Sequence, residues 1–266
     1  MRVLILAAGF GTRMQEFIQG LPKSLLPLCN KKVIDQQIEK VIRAGLRKVT
    51  ILTNSKFVGV FEEWRTQSFY KKYVEIIDNG VSEIDERGGA IGDLHFFTKT
   101  LRSSDSVLVL GSDNLFDGSF KGMIRFFQEL RGAGVVGIHL FKNTNFPHQE
   151  NEIVIDPDTR RALALHSKPT HPISPYLASM LYLLPVSMLF QTEIYLREGN
   201  DCDNAANFIA WLIKNGFPIL GYEMPGRRFD TGSPATYRAT LSQFPCGNRE
   251  SHTPNILKQR EDAKNA

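Results

Sequence analysis

The sequence contains few cysteines and no long apolar segment. Its three cysteines, Cys29, Cys202 and Cys246, are an odd number without ligand-like spacing. We therefore expect neither a disulfide framework nor a zinc site, and a reducing compartment. The apolar run at residues 3–8 is too short for a membrane helix and is followed at once by a glycine-rich segment. We predict no signal peptide, no membrane association and a cytoplasmic location.

A large excess of either charge is also lacking. Lys and Arg number 32 and Asp and Glu number 28, so the formal net charge is only +4 over 266 residues. This balance argues against a nucleic-acid-binding protein. The 42% hydrophobic content excludes a mainly disordered chain and predicts a sizeable core in one large or two small domains.

Short apolar runs alternate with helical periodicity through the first half of the chain. Continuous apolar runs predict buried strands at residues 3–6, 49–52, 73–77, 106–110 and 135–140. Helical spacing predicts helices at residues 33–44, 57–64, 91–101 and 120–130 between them. This alternation predicts an α/β fold of Rossmann-like type, with a mostly parallel sheet and helices on both faces. Ligands of such sheets bind at the carboxyl ends of the strands.

The pattern changes near residue 143. Short strand candidates at residues 152–155, 162–165 and 178–184 are separated by prolines, and helices follow at 187–197 and 205–214, with a strand at 218–222. We interpret this half as an inserted α+β lobe that lays extra strands and helices over the sheet. The predicted organisation is a single domain at 1–244, with one half at 1–142 and the other at 143–244. Residues 245–266 are polar and are expected to be a mobile tail.

A glycine-rich segment follows the first predicted strand. It reads LAAGFGTR at residues 6–13, and PKS follows at residues 22–24. Glycines let backbone N–H groups approach phosphate oxygens closely, and Arg13 and Lys23 add positive charge there. The third glycine of a dinucleotide fingerprint is replaced by Met14, and the Walker A lysine is absent. A dinucleotide-dependent oxidoreductase is therefore disfavoured, whereas a turn kept only for packing stays open.

Five segments in this order resemble the sugar-phosphate nucleotidyltransferases, or nucleotide-sugar pyrophosphorylases. They are LAAGFGTRM with PKSLLPL, GAIGDL at 89–94, GSDNLF at 111–116, SKP at 167–169 and RFDTG at 228–232. The resemblance spans residues 1–244 and is closest to the short glucose-1-phosphate thymidylyltransferase-like branch. It implies transfer of a nucleotidyl group from an NTP to a sugar 1-phosphate, with release of pyrophosphate. It also implies a nucleotide-binding half at 1–142 and an acceptor-binding half at 143–244. Because the acceptor phosphate is already ionised, no general base is required.

The resemblance also assigns roles to residues. Taken alone, an aspartate after a strand is usually a turn or capping residue and Lys168 is typical of a surface lysine; the ordered motifs favour function instead. The implied catalytic residues are Arg13 and Lys23, and the implied Mg²⁺ ligands are Asp113 and Asp230. The implied acceptor contacts are Lys168 and Ser179. The implied nucleotide contacts are Ala7, Ala8, Gly9, Gly11, Thr12, Gly89 and Ser112.

Several departures from the family pattern fall at specificity positions. Ser112 replaces the second residue of the family's GGDN or AGDN segment, which is a mild change. Ser167 stands where the family usually has a glutamate. Before Tyr182, where the family usually has a glycine, this chain has Ser179, Met180 and Leu181, and a bulkier side chain there predicts a narrowed or reshaped sugar pocket. Further departures are Arg228 in place of a tryptophan and Ile84 where a base-reading glutamine is usual, with Glu83 or Asp85 as substitutes.

These departures leave the choice of substrate open. Glucose 1-phosphate with a thymidine or uridine nucleotide is the default expectation. One alternative is a cytidylyltransferase for a non-sugar phosphate such as phosphocholine or inositol phosphate. Another is a catalytically silent regulatory subunit of the same fold, against which the intact set of Arg13, Lys23, Asp113 and Asp230 argues. The expected partners are an NTP and a phosphorylated small molecule, without nucleic acid or membrane, and a homo-oligomer is compatible with the family.

Overall fold

The computed structural model describes residues 1–14, 20–141 and 150–246. The strands in chain order are β1 (Arg2–Leu6), β2 (Pro27–Leu28), β3 (Lys31–Lys32), β4 (Val49–Thr53), β5 (Val74–Asp78), β6 (Ser106–Gly111), β7 (Asn114–Phe116), β8 (Gly134–Leu140), β9 (Asn151–Ile155), β10 (Ala162–His166), β11 (Tyr176–Pro185), β12 (Ile219–Glu223) and β13 (Arg228–Asp230). The helices are α1 (Val33–Arg43), α2 (Val58–Gln67), α3 (Gly89–Thr98), α4 (Lys121–Glu129), α5 (Val186–Leu189), α6 (Thr192–Arg197), α7 (Ala205–Lys214) and α8 (Pro234–Gln243). The predicted α/β fold is confirmed.

The sheet has a parallel centre and a mixed flank. Strands β5, β4, β1 and β6 lie side by side and run parallel, so their carboxyl ends meet at one edge. Strand β11 pairs antiparallel with β6, and β8 pairs antiparallel with β11 and parallel with β12. Strands β9 and β10 extend the same sheet beyond β11. Strands from both predicted halves of the chain thus belong to one sheet, and the division into halves stays a prediction.

Helices cover both faces of this sheet, as predicted. One apolar layer contains Leu4, Val109 and Tyr182 together with residues of α3 and α7. The other contains Ile5 and Leu108 together with residues of α1, α2 and α4. Because the central strands are buried on both faces, they are continuous apolar runs in the sequence.

A third, smaller apolar cluster lies beyond the carboxyl edge of the sheet. It joins the β2–β3 hairpin, the antiparallel β7–β13 pair and α8 through Leu28, Leu115, Phe229 and Tyr237. The Tyr237 hydroxyl also donates to the Pro27 carbonyl oxygen at 2.6 Å. This cluster therefore fixes the chain segments that carry Lys23, Asp113 and Asp230.

The structure corrects the expectation that no disulfide forms. Cys29 and Cys246 are bonded, with their Cα atoms 5.7 Å apart and 217 residues apart in sequence. The sequence does not predict this pair, because Cys246 lies close to the β2–β3 turn only in the folded chain, where α8 ends at Gln243. Cys202 is free. Of the predicted mobile tail, residues 247–266 lie outside the described residues.

Two further details concern the helices. The helical segment predicted at 187–197 is divided into α5 and α6. Within the described ranges, no helix has the length and apolar character needed to cross a bilayer.

Candidate active site

The glycine-rich segment lies at the carboxyl end of β1. The Ala7 amide donates to the Leu52 carbonyl oxygen at 2.8 Å, and the Asn54 side chain donates to the Ala8 carbonyl oxygen at 2.8 Å. Ala7 is buried and Ala8 partly buried, whereas Gly9 is exposed. The neighbouring strand β4 therefore holds the start of the loop rigidly and leaves its glycines at the surface.

The glycines give this loop an accessible backbone. Gly11 has a φ of +68°, and its carbonyl oxygen accepts from the Met14 amide at 2.8 Å. A Cβ on Gly9 would contact no described atom within 4 Å. Within the described chain, the amides of Gly9, Phe10 and Gly11 donate to no protein acceptor. Thr12 and Arg13 are exposed in the short 3-10 helix that follows. Such a run of free amides favours an anion.

Lys23 and Asp113 form an ion pair beside this edge of the sheet. Lys23 begins a short 3-10 helix, and its ammonium contacts Asp113 Oδ2. The other carboxylate oxygen of Asp113 accepts from the Asn114 amide group at 2.8 Å. Burial is the largest single influence and would raise the pKa of Asp113, but the Lys23 ammonium, the Arg228 guanidinium and a backbone hydrogen bond together hold that pKa below its usual value. The carboxylate is therefore ionised and oriented.

Asp230 lies next to Asp113 because β13 pairs with β7. The pairing places Asp230 opposite Asn114, and the Thr231 amide donates to the Asp113 carbonyl oxygen at 2.9 Å. The position that a Cβ would take on Gly232 is 3.0 Å from Asp113 Oδ2 and 3.2 Å from Asp230 Oδ1. Burial and the negative charge of Asp113 raise the pKa of Asp230. Two carboxylates thus share one small region.

Asn114 is held by a polar network that sequence reasoning missed. The Gln37 side-chain amide donates to the carbonyl oxygens of Gly111 and Asn114 at 2.7 and 2.6 Å. Arg228 donates through Nε to Asn114 Oδ1 at 2.8 Å and through a terminal nitrogen to Glu150 at 2.6 Å. Gln37 was detectable as the polar residue on the apolar face of α1. The Arg228–Glu150 pair was not, because nothing in the sequence links these distant residues.

Gly89 is required by a close backbone approach. Its φ is +65°, and a Cβ there would lie 2.3 Å from the Cys202 carbonyl oxygen. The same carbonyl oxygen accepts from the Ile91 amide at 3.0 Å, and Arg87 pairs with Asp203 at 2.9 Å. Residues 202–203 therefore pack on the start of α3, which carries the predicted nucleotide-binding glycine.

The remaining predicted residues differ in their placement. Ser112 is buried beside the end of β1, since its amide donates to the Leu6 carbonyl oxygen at 3.1 Å. Ser179 is buried, and its hydroxyl has no partner among the described residues. Lys168 is exposed at a φ of +47°. No described hydrogen bond or ion pair links Lys168 or Arg13 to either aspartate.

Met180 was predicted to reshape the pocket, and it lies near Asp113. A Cβ on Gly111 would be 3.0 Å from Met180 Sδ and 3.3 Å from Asp113 Oδ1. The thioether therefore borders the space next to the ion pair. Together, the free loop amides, the Lys23 ammonium and the two carboxylates can hold phosphate groups and a cation at one edge of the sheet.

Comparisons with known proteins agree with this geometry. A family model described as Nucleotidyl transferase matches residues 2–244. The chain is 27% identical over 260 residues to the mannose-1-phosphate guanylyltransferase catalytic subunit beta of Xenopus tropicalis, covering 95% of this chain and 67% of the relative. It is 25% identical over 273 residues to a mannose-1-phosphate guanyltransferase of Candida albicans, covering 98% and 69%.

Solved structures show the same fold. Apo UDP-glucose pyrophosphorylase superposes with a TM-score of 0.77 at 17% identity, covering 92% of this chain and 98% of that chain. The UTP-bound enzyme from Acinetobacter baumannii superposes with a TM-score of 0.72 at 18% identity, covering 98% of both chains.

Proposed function

Because this chain belongs to the nucleotidyl transferase family, we propose that it joins a nucleoside triphosphate to a sugar 1-phosphate. The family resemblance predicted from the motifs is confirmed. The observation that carries the proposal is the juxtaposition, at the carboxyl edge of one sheet, of the glycine-rich loop with Lys23, Asp113 and Asp230. The relatives named above transfer a guanylyl group to mannose 1-phosphate, and this pair of substrates is our first candidate.

The proposed reaction is a balanced displacement at phosphorus. An ionised oxygen of the sugar 1-phosphate attacks the α-phosphorus of the triphosphate and forms a new P–O bond. The bond from the α-phosphorus to the bridging oxygen breaks, and pyrophosphate leaves with that electron pair. All reactants are anions, so positioning and charge neutralisation supply most of the catalysis.

The loop and its cations perform this neutralisation. The amides of residues 9–11, which donate to no acceptor in the described chain, bind phosphate oxygens, and the exposed Arg13 adds a positive charge next to them. Lys23 is held in place by Asp113, so its ammonium is oriented before substrate binds. Such a preorganised charge stabilises developing charge without reorganisation during the reaction. Lys168 and Ser179 are proposed to contact the acceptor.

The residues present also fit a magnesium ion. Mg²⁺ is usually held by one or two carboxylates together with phosphate oxygens and water. The carboxylate oxygens of Asp113 and Asp230 both lie close to Gly232, so a side chain at position 232 would contact both of them. We propose these two aspartates as its ligands. A bound Mg²⁺ would polarise the phosphate groups and offset their negative charge.

Pyrophosphate release provides the test. The purified protein is assayed with Mg²⁺, with GTP, UTP, dTTP, CTP and ATP in turn, against mannose 1-phosphate, glucose 1-phosphate, phosphocholine and inositol phosphate. We expect release that needs one triphosphate and one sugar 1-phosphate, and loss of release in EDTA. Release only with a non-sugar phosphate would favour the cytidylyltransferase alternative, and silence without triphosphate binding would favour a regulatory subunit.

Substitution of Lys23 tests its role. We expect Lys23→Ala to lower turnover by at least about a hundredfold, the usual effect of removing a preorganised charge-stabilising group. Lys121→Ala is the matched control, because Lys121 is an exposed lysine at the start of α4. Near-full turnover of folded Lys23→Ala would refute the assignment. A cytoplasmic location and a homo-oligomeric state stay predictions.

A further inference from the structure

A second groove opens at the opposite edge of the sheet. It has a volume of about 850 Å³ and lies at the amino ends of β1, β4 and β5, where Arg2, Val49 and Val74 begin these strands. Five residues of β1 span roughly 17 Å at about 3.3 Å per residue. The groove is therefore separated from the candidate active site by the length of the parallel strands.

Positive charge dominates the lining of this groove. Five of its side chains are cationic and two are acidic. Arg2 pairs with Glu75 at 3.7 Å, while Asp105 accepts from the Arg102 backbone amide at 2.9 Å. Within the described residues, no carboxylate forms an ion pair with the four other cations. These four are Arg47, Lys48, Lys72 and Arg102.

Aromatic rings and carbonyl groups hold some of these cations in place. The Arg47 guanidinium and the Lys72 ammonium each lie 5.3 Å from the Tyr73 ring centroid, so one ring binds both charges. Arg2 lies over the Phe97 ring at 4.8 Å and donates to the Thr100 carbonyl oxygen at 2.8 Å. Like charges are thus fixed near one another, although they repel.

An anion would relieve this repulsion. Charge-assisted hydrogen bonds from Arg and Lys to phosphate are among the strongest that proteins form, and Arg binds phosphate through its planar fork. The Thr50 and Thr100 hydroxyls add polar groups to the lining. The volume falls in the range of small-molecule pockets. Because the basic residues converge on one concave groove and do not follow an extended stripe, a compact ligand fits better than a nucleic acid.

We propose that this groove binds a small molecule that carries two or more phosphate groups. Arg47, Lys48, Lys72 and Arg102 supply the unpaired charges, and Arg2 forms part of the fixed floor. The site is independent of the candidate active site and of the reaction proposed for it. It gives the protein a place to bind a phosphorylated metabolite without occupying its substrate loop.

Isothermal titration calorimetry with inorganic tripolyphosphate tests the proposal. The test variant is Lys48→Ala/Lys72→Ala, and the control is Lys71→Ala/Lys121→Ala, which removes the same charge from exposed lysines outside the groove. We expect the test variant to bind one equivalent of tripolyphosphate at least about tenfold more weakly than wild type, and the control to match wild type. Lys23→Ala should still bind this equivalent of tripolyphosphate in the groove, since the substitution alters only the candidate active site.

Three outcomes would overturn the proposal. One is equal binding by the test variant and wild type, with all binding lost in Lys23→Ala. A second is equal weakening in the test and control variants, which would show only a general effect of charge. The third is tighter binding of a 20-nucleotide polyuridylate than of tripolyphosphate, lost in the test variant, which would make the occupant a nucleic acid. Thermal melting of each variant verifies that the substitutions leave the fold intact.

Discussion

Asp93 is a partly buried carboxyl group whose ionisation opposes folding. It lies on α3, and its Oδ1 accepts from the Asn79 side-chain amide at 2.7 Å. Burial raises the pKa of Asp93 to about 6, although the hydrogen bond from Asn79 lowers it somewhat. No ion pair with a cation of the described chain offsets this burial. The substitution Asp93→Asn keeps the acceptor for Asn79 and removes the charge.

The difference in pKa gives the magnitude and the sign. The unfolded chain has the ordinary pKa of 3.8, about two units lower, which corresponds to at most about 3 kcal/mol. Between these two values the folded state binds more protons than the unfolded state, so stability falls as pH rises through that window. The full penalty is present above pH 6. Since Asp93 is only partly buried, we expect Asp93→Asn to stabilise the protein by about 1–3 kcal/mol at pH 7.5.

Urea unfolding at pH 5.0 and pH 7.5 measures this effect. The stability gain of Asp93→Asn over wild type should roughly halve at pH 5.0, where much of the folded population already carries the proton. Asp85→Asn is the control, because Asp85 is exposed and its substitution should change stability by less than about 0.5 kcal/mol. A gain that is equal at the two pH values, or absent at pH 7.5, would refute the reasoning.

Three further predictions concern the stability of substituted proteins. Gly89→Ala should destabilise the protein by about 2 kcal/mol in urea unfolding, because Gly89 has a positive φ and its new Cβ would meet a backbone carbonyl oxygen. Gly92→Ala lies in open space on α3 and should stabilise the protein by about 0.5–1 kcal/mol. Equal effects of the two substitutions would contradict this account. Arg228→Leu should lower the free energy of unfolding by about 3 kcal/mol because it leaves the Glu150 carboxylate unpaired. Adding Glu150→Gln to this variant should restore part of the loss. No recovery in the double variant would argue against the ion pair. Cys29→Ser should lower the free energy of unfolding by about 2–4 kcal/mol in oxidising buffer and not at all in dithiothreitol; a persistent loss in dithiothreitol would assign the effect to packing.

The parallel centre of the fold was predictable because its signal is local. Strands β1, β4 and β6 are continuous apolar runs, and α1 and α4 have helical apolar spacing. Strand β11 was found as an element, but its insertion between β6 and β8 was not. Pairing between residues more than thirty positions apart depends on which strand edges remain free after the centre forms, and no local pattern records it. Helix α8 was missed, although Ser233 before a proline is a helix-start signal.

The candidate site shows the same division between local and distant information. The sequence motifs predicted the glycine-rich loop, Lys23 and both aspartates, each from its own segment. That Asp113 and Asp230 approach one point follows from the β7–β13 pair, whose strands are only three residues long and lack a distinct periodicity. Gln37 supports the site through two hydrogen bonds across the fold, and Glu150 through one. Such contacts become visible only when the chain is folded.

The charges of the site explain why it needs its supporting residues. Asp113 and Asp230 repel one another, and Lys23 pairs with only one of them. Asn114, whose position Gln37 and Arg228 fix, holds one oxygen of the Asp113 carboxylate, and Lys23 holds the other. The β7–β13 pair and the apolar cluster around Tyr237 supply the stability that opposes this repulsion. The fold thus holds a locally unfavourable pair of carboxylates beside the free amides of the loop, and the proposed cation and phosphate groups are the ligands that would relieve both.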